Sequence, residues 1–329
     1  MELIRAPRTR DINPADKLTI GMVQMAPVWL KREATLEKVI TAAARAGEEG
    51  CQLAVFGEAL VPGYPFWIEN TNGAMFNDPK QKAIYARYVD EGVVIERGDL
   101  KPLCAIAKQY GMAIYVGIME RAPDRSGTSL YCTLVYIDAT GTIQSVHRKL
   151  HPTYEERLAW AQGDGHGLRV HDLGPFRVGG LNCFENWLPL ARSALYSQGE
   201  TLHVSVWPGG LHNTHDLPLF IAKESRSYVI ACSGLMRTED FPKDTLALEE
   251  ILENCKPVLA SGGSALAAPD GSFIIEPVAD IEALIIADID NAMVREERQN
   301  LDITGHYSRP DVTRLMVDRT RQSVAEFKD

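Results

Sequence analysis

The chain has 329 residues, of which 45% are hydrophobic and 24% charged, and its formal net charge is −10 at pH 7. This composition is typical of a folded globular protein with a large apolar core, whereas the negative charge argues against nucleic acid or an anionic membrane surface as a partner. The sequence lacks a signal-peptide pattern, an apolar run long enough to cross a bilayer and a CxxC pair among its six cysteines, so we expect a cytoplasmic protein with reduced thiols.

No linker, charge run or low-complexity segment divides the chain. We therefore expect one domain over residues 1–329, with a core at about 18–312 and a tail at 313–329. Short apolar runs alternate with segments of helical period throughout, which is typical of an α/β layered fold.

The first half of the chain is predicted to hold these elements: a strand at 18–25, a helix at about 33–50, a buried strand at 52–58, helices near 78–92 and 98–110, and a strand at 112–118. The first helix carries an apolar stripe formed by Leu36, Val39, Ile40 and Ala43. The segments 129–137 and 142–150 flank the turn sequence DATG, which predicts a β-hairpin.

The second half is predicted to add strands at 176–183, 202–207, 228–234, 264–268 and 282–290, with helices after residue 186 and after about residue 214. The turn sequence PDG at 269–271 predicts that the apolar segments on either side of it pair as antiparallel strands.

Polar residues lie at the ends of three predicted strands. Glu58, Lys149 and Cys183 each end such a strand, and Glu156 lies seven residues after Lys149. Loops at the carboxyl ends of strands converge in open α/β sheets, so we expect these side chains to lie together. Taken singly, each has an ordinary explanation: a strand-end acid, a solvated basic patch, the acid of a helical first turn, and a small buried thiol.

Together the four residues predict a nucleophile site. A thiol needs a base or a positive field to react, and Glu58 and Lys149 are expected to supply them. Asn186 is a candidate N-cap for a helix with Pro189 in its first turn, which would put Cys183 just ahead of a helix N-terminus.

Three segments resemble motifs of the nitrilase, or carbon–nitrogen hydrolase, superfamily. FGEALVPGYPFW (56–67) resembles its glutamate block, HRKLHPTYEERLAWAQGDG (147–165) its lysine block and CFENWLPLAR (183–192) its cysteine block. The last two are closer to nitrilases than to the amidase branch. The resemblance runs from about residue 19 to about residue 312, with two departures: Phe184 stands where tryptophan is usual, and Cys132 where asparagine is usual.

The resemblance implies a four-layer αββα sandwich, a Glu58–Lys149–Cys183 triad and Glu156 as an additional catalytic glutamate. It also implies a homodimer that can extend into larger spirals, and neither a metal nor an organic cofactor. His212 and His215 are spaced for one helical turn, but a third metal ligand is missing from the motif.

The expected activity is hydrolysis of a small-molecule nitrile to a carboxylic acid and ammonia through a cysteine thioimidate and thioester. Aromatic side chains follow the same strands as the reacting groups, which suits an apolar substrate group. The expected substrate-binding residues are Tyr64, Phe184, Trp187, Trp207 and Pro208, with Phe66 and Trp67 nearby in sequence.

Other functions are compatible with parts of the pattern. An amidase or carbamoylase would use the same groups on an amide. A catalytically idle filament-forming protein would use only the surface, which the intact set of four reacting residues argues against. A papain-like hydrolase would need a histidine in a motif that the sequence lacks.

Overall fold

The computed structural model describes residues 1–7, 10–326 and 328, so the expected tail at 313–329 includes residues 327 and 329 outside the described ones. The strands, in chain order, are β1 (Glu2–Arg5), β2 (Lys17–Gln24), β3 (Leu53–Phe56), β4 (Ala113–Arg121), β5 (Leu130–Ile137), β6 (Ile143–Arg148), β7 (His171–Leu173), β8 (Phe176–Asn182), β9 (Leu202–Trp207), β10 (Tyr228–Ser233), β11 (Leu235–Arg237), β12 (Val258–Ala267), β13 (Phe273–Ala279) and β14 (Ala283–Asp290).

The helices, in chain order, are α1 (Arg32–Glu48), α2 (Trp67–Asn70), α3 (Pro79–Asp90), α4 (Lys101–Tyr110), α5 (Pro189–Tyr196), α6 (Leu211–Thr214), α7 (Leu217–Ser225), α8 (Leu248–Asn254) and α9 (Asn291–Arg298). Within the described ranges, none of these helices combines the length and the apolar character needed to cross a bilayer.

The strands form two sheets. The first has the order β1-β14-β2-β3-β4-β5-β6, and the second has the order β11-β12-β10-β9-β8-β7 with β13 paired to β12. The centre of each sheet is parallel: β2, β3 and β4 in the first, and β8, β9 and β10 in the second. The carboxyl ends of neighbouring parallel strands lie along one edge, which is where functional loops gather in such sheets.

The two sheets pack face to face around a buried core. Ile20 and Val55 of the first sheet belong to the same apolar cluster as Val204 and Ile230 of the second. On the outer faces, α1 and α4 cover the first sheet, and α5 and α7 cover the second. The layers therefore run αββα, and the predicted sandwich is confirmed.

Sheet and helix burial explain why the sequence pattern predicted these elements. All four residues of β3 are buried because the strand is covered on both faces, so it reads as a continuous apolar run. In α1 the expected stripe packs on the sheet through Leu36, Val39 and Ala43, while Ile40 is only partly buried. Antiparallel pairing of β5 with β6 and of β12 with β13 confirms both predicted turns.

The expected helix start at Asn186 is wrong. A 3₁₀ turn covers Cys183–Trp187, and α5 begins only at Pro189. Proline lacks an N–H and forces the residue before it into an extended conformation, and Leu188 has φ −83° and ψ 108°. The Asn186 amide lies buried inside this turn, where it donates to the carbonyl of Cys183 at 2.8 Å.

Gly117 of β4 permits a close approach between the strand and the turn that carries Glu58. A Cβ atom at position 117 would lie 2.2 Å from the carbonyl oxygen of Gly57 and 2.8 Å from the Cα of Glu58. Contacts this short require the backbone of the turn to move. The absence of a side chain at position 117 therefore allows the turn that carries Glu58 to lie this close to β4.

We predict that Gly117→Ala lowers both stability and activity. Overpacking at this contact should reduce the free energy of unfolding by about 1–3 kcal/mol, and displacement of Glu58 should reduce turnover further. Chemical denaturation and steady-state kinetics measure the two effects. The control Ile118→Val removes a methyl group one residue away and should cost about 0.5–1.5 kcal/mol in stability with little change in rate. Full activity in Gly117→Ala would contradict this account.

Candidate active site

Four sequence-predicted residues come together at the strand ends. Glu58 lies shortly after β3, Lys149 directly after β6 and Cys183 directly after β8, while Glu156 belongs to a 3₁₀ turn at Tyr154–Leu158. All four are buried. Carboxylate oxygens of Glu58 and Glu156 and Sγ of Cys183 lie within 4.8 Å of one another.

Lys149 lies between the two carboxylates. Its Nζ donates to Oε1 of Glu58 at 2.9 Å and to Oε2 of Glu156 at 2.7 Å. The second oxygen of Glu156 accepts from the Tyr64 hydroxyl at 2.8 Å. One ammonium group therefore links both acids, and Glu156 is held on both of its oxygens.

The carboxylate of Glu58 is satisfied on one oxygen only. Oε1 accepts from Lys149 and from the Sγ–H of Cys132 at 3.3 Å, whereas Oε2 is buried and has no hydrogen-bond partner among the described residues. Buried carboxylate oxygens normally have a partner, so an orphan at a candidate active site points to a group that the reaction itself supplies. Oε2 is thus the acceptor available for a proton.

The charges of the cluster set its protonation. Burial and the negative charge of Glu156 raise the pKa of Glu58 to about 7, against the opposing effect of Lys149. Burial, with the charge of Glu58, raises the pKa of the Cys183 thiol well above its usual range. Burial alone would lower the pKa of Lys149, but the surrounding negative groups raise it well above its usual range. The resting site therefore holds a neutral thiol beside a potential base and a fixed positive charge.

The backbone presents Cys183 on a strained turn. Its φ is +45°, in the left-handed region that residues with a Cβ seldom adopt. Such outliers are found where the surrounding structure holds a reacting group in position. The residue also begins the 3₁₀ turn, and the backbone N–H of Phe184 lowers the thiol pKa, in opposition to burial.

Glu185 ties the segment of Lys149 to the segment of Cys183, and the sequence analysis did not find it. Its Oε1 accepts from the backbone N–H of Leu150 at 2.5 Å, and its Oε2 accepts from the N–H of Asn182 at 2.9 Å and lies 3.0 Å from Nε2 of His147. Burial alone would raise the pKa of Glu185, but His147 and the backbone donors outweigh it and lower the pKa. The available sequence signal was a glutamate two residues after the candidate nucleophile Cys183.

A cavity of about 570 Å³ opens onto Cys183 and Glu156. Of the expected substrate-binding residues, Tyr64, Phe184 and Pro208 line it. Its other walls include Phe66, Glu69, Glu155, His212 and Lys256. The cavity wall thus combines aromatic surface with a few charged and polar groups, as small-molecule sites do.

The two expected tryptophans are not among the residues that line this cavity. Trp207 is fully buried among core residues such as Leu217 and Ile221 and does not line the cavity, because its side chain packs against α7 while the next residue, Pro208, reaches the wall. Trp187 is 52% exposed on the outer surface and is not a lining residue. Trp67, which follows Phe66, is also buried in the core.

Glu58, Glu156 and Cys183 are also a donor set that suits a metal ion. Lys149 nevertheless donates to both carboxylates, so a side chain of the protein already supplies the positive charge at this place. His212 lies on the cavity wall, while His215 is exposed and bonded to Asp216. The two histidines do not form a metal cluster with other described residues.

We predict that Glu185→Gln destabilises the protein and lowers its activity. An amide nitrogen would face backbone donors in a dry site, so the free energy of unfolding should fall by about 2–4 kcal/mol. Because the folded pKa of Glu185 is lowered, this contribution is present above the ordinary glutamate pKa and is lost as the pH falls through the folded value. The difference from the parent protein should therefore be full at neutral pH and should shrink in acid.

Denaturant titrations at several pH values measure this effect. The exposed residue Glu253 offers a matched control, and Glu253→Gln should change neither stability nor rate by much. Equal behaviour of the two variants would show that Glu185 does not hold the two segments together.

Residues 19–299 match the carbon–nitrogen hydrolase family. A protein named nitrilase 2, from an unknown prokaryotic organism, is 36% identical over 314 residues, which cover 95% of this chain and 96% of that protein. Its length and identity make it a relative over essentially the whole fold.

Solved structures agree with this architecture. A carbon–nitrogen hydrolase from Helicobacter pylori G27 superposes with a TM-score of 0.68 at 18% identity, over 90% of this chain and 96% of that one. An amidase from Nesterenkonia sp. AN1, seen after addition of acrylamide at its active-site cysteine, superposes with a TM-score of 0.59 at 18% identity, over 86% of this chain and 98% of that one. With the match over 281 residues from 19 to 299, the chain belongs to the carbon–nitrogen hydrolase family, in its nitrilase branch.

Proposed function

We propose that this hydrolase converts a small organic nitrile to a carboxylic acid and ammonia. The observation that carries the proposal is that Oε1 of Glu58 accepts from Lys149 while Oε2 has no hydrogen-bond partner among the described residues, and that a carboxylate oxygen of Glu58 lies within 4.8 Å of Sγ of Cys183. Nitrile rather than amide as substrate is supported by the 36% identity to the relative named nitrilase 2.

In the first step Glu58 takes the thiol proton and Sγ of Cys183 attacks the nitrile carbon. A C–S bond forms, one C–N π bond opens, and the nitrogen takes the proton from Glu58 to give a thioimidate, which restores Glu58 as a base. The raised pKa of the thiol means that it is protonated at rest, so the base must act as the bond forms. Glu58, with a pKa of about 7, is matched to that task near neutral pH.

In the second stage water adds to the thioimidate carbon with Glu58 as base, and ammonia leaves. A second water then hydrolyses the thioester, which releases the acid and restores the thiol. Lys149 lies where it can stabilise the anionic nitrogen or oxygen at each tetrahedral stage, since its charge is fixed and shielded from water. Glu156 positions Lys149, and Tyr64 in turn positions Glu156.

The amidase reaction is the second candidate, because the same groups serve an amide carbonyl. It is supported by the structural likeness to the Nesterenkonia amidase, which also bears an active-site cysteine. An amide enters the scheme at the tetrahedral stage, so the two activities differ in substrate and not in the reacting groups.

We predict that Cys183→Ala lowers the turnover rate by several orders of magnitude without loss of the fold. The control Cys104→Ala changes a thiol on α4, away from the cavity, and should retain full rate. Ammonia release and the acid-to-amide ratio, measured on aliphatic, aromatic and arylacetonitriles and on the matching amides, identify the preferred substrate class.

Mass spectrometry of the enzyme quenched during turnover should find added mass on the peptide that contains Cys183 and on none of the other five cysteines. Substantial activity in Cys183→Ala would overturn the mechanism. Turnover of amides but not nitriles would leave the mechanism standing and replace the nitrile with an amide.

We further propose that the protein works as a homodimer, able to extend into larger spirals. Trp187, Leu190 and Phe220 are 52%, 69% and 54% exposed. The Arg192 guanidinium of α5 lies 5.6 Å from the Phe220 ring of α7, so α5, which carries Leu190, is a neighbour of α7, and Trp187 lies in the 3₁₀ turn just before α5. Exposed apolar clusters of this kind are typical of association surfaces.

Sedimentation at micromolar concentration should give at least twice the mass of one chain. The double variant Leu190→Glu/Phe220→Glu should shift the protein toward monomer, because it places charge on that surface. Leu246→Glu changes an exposed leucine elsewhere and serves as the control. A fully active parent protein that sediments as a monomer would contradict the association proposal.

We also propose that the chain forms one domain and works in a reducing compartment. Residues from Leu18 to Val294 contribute to the core between the sheets, which supports one domain. All six cysteines are free thiols, which supports a reducing compartment such as the cytoplasm.

A further inference from the structure

We propose that Cys132 is a positioning residue for the reaction: its buried thiol holds Oε1 of Glu58 and so reserves Oε2 for the proton of Cys183. The inference rests on the proposed role of Glu58 as base. It assigns a function to a side chain that the mechanism above does not use.

The contact is direct. Cys132 lies on β5, opposite Met119 of β4, and is 1% exposed. Its Sγ donates to Oε1 of Glu58 at 3.3 Å, the same oxygen that accepts from Lys149 at 2.9 Å. The backbone carbonyl of Cys132 also accepts from the N–H of Lys149 at 2.8 Å. One residue thus contacts both the candidate base and the backbone of the lysine that supports it.

Two donors on one oxygen give the carboxylate a fixed orientation. The terminal torsion of a glutamate is broad and has little preference of its own. With Lys149 alone, the Glu58 carboxylate would be free to turn and share its charge differently between its oxygens. With Cys132 as a second donor on Oε1, the carboxylate is held in one orientation, and Oε2 has no hydrogen-bond partner among the described residues.

Cys132 suits this role because it stays protonated. Burial and the negative charges of Glu58 and Glu156 raise its pKa well above the ordinary thiol value. It is therefore a donor at rest, and unlike Cys183 it is not among the residues that line the cavity. An S–H is also a weak donor, so it orients the carboxylate while stabilising its charge less than a hydroxyl would.

The test must separate donation from packing, because Cys132 also belongs to an apolar cluster. The titratable groups that face Glu58 are Lys149, Glu156, Cys132, Cys183, Tyr64 and Tyr88. Only Cys132 is changed and the other five groups are left intact, so a shift in the pH dependence of the base can be assigned to the Cys132 contact. The variants are Cys132→Ala, which removes the donor, and Cys132→Ser, which replaces it with a stronger one.

The measurement is the rate of Cys183 alkylation by iodoacetamide, followed by peptide mass spectrometry as a function of pH. In the parent protein the rate should fall as the pH drops through about 7, where Glu58 takes up a proton. We call this fall the acid limb of the pH–rate profile. Loss of a donor to the carboxylate raises its pKa, so Cys132→Ala should move this acid limb to higher pH and slow alkylation at neutral pH by about three- to tenfold. Cys132→Ser should move the limb to lower pH.

The control is Cys232→Ala, which removes a fully buried thiol whose Sγ donates to the backbone carbonyl of Val55 and not to the site. Its acid limb should match that of the parent. Opposite shifts for Ala and Ser at position 132 would support the proposal. Unmoved limbs, or shifts in the same direction, would overturn it and leave Cys132 as a packing residue.

Thermal denaturation checks that each variant is folded, and if Cys132→Ala does not fold, the direction of the Cys132→Ser shift decides alone. Alkylation needs no turnover, so it also separates the two proposals. Shifted limbs in a protein that hydrolyses no nitrile would uphold the positioning role and reject the substrate. Nitrile turnover with unmoved limbs would do the reverse.

Discussion

The buried ion pair cluster around Lys149 is the constraint on which the rest of the site depends. Carboxylate oxygens of Glu58 and Glu156 and Sγ of Cys183 lie within 4.8 Å of one another, and all three side chains are buried. Like charges so close would force one acid to stay protonated, and burying unpaired charge is costly. The Lys149 ammonium, 2.9 Å from Glu58 and 2.7 Å from Glu156, offsets the repulsion between the two acids and the cost of burying them. Glu58 consequently titrates near neutral pH, where a base that takes a proton from a poorly acidic thiol is most useful.

The fold brings together the ends of three strands that are distant in sequence, β3, β6 and β8, and Lys149 follows the second of them. Gly117 lets the Glu58 turn approach β4 more closely than any side chain would permit. Glu185 binds the backbone beyond Lys149 and the backbone before Cys183 with one carboxylate. Asn182, which donates to Glu185, directly precedes Cys183, whose backbone is in an unfavourable conformation with φ at +45°. Stability of the sandwich and geometry of the site are therefore linked through the same few residues.

Much of the architecture follows from local pattern. Strands buried on both faces, such as β3, read as continuous apolar runs, and α1 shows its buried stripe directly. Two short helices were not predicted from the sequence: α8 and α9 have seven and eight residues, too few to show a clear helical periodicity. The expected cap at Asn186 failed because a polar side chain can satisfy a buried turn as well as a helix end. Strand-end position also left open which way the Trp207 side chain points, and the structure places it in the core against α7.

By itself the sequence determined the candidate reacting groups: Glu58, Lys149 and Cys183 were identifiable from their positions after strands and from motifs, and Glu156 from its motif. Only the tertiary structure decided which oxygen of Glu58 accepts hydrogen bonds and which has no partner among the described residues, that Cys132 and Tyr64 donate to the two acids, and that Glu185 joins the strand ends. Pattern and propensity act over neighbouring residues and report burial. Hydrogen bonds between residues 74 or 92 positions apart depend on distances of a few tenths of an ångström, which are set by the packing of the two sheets as a whole.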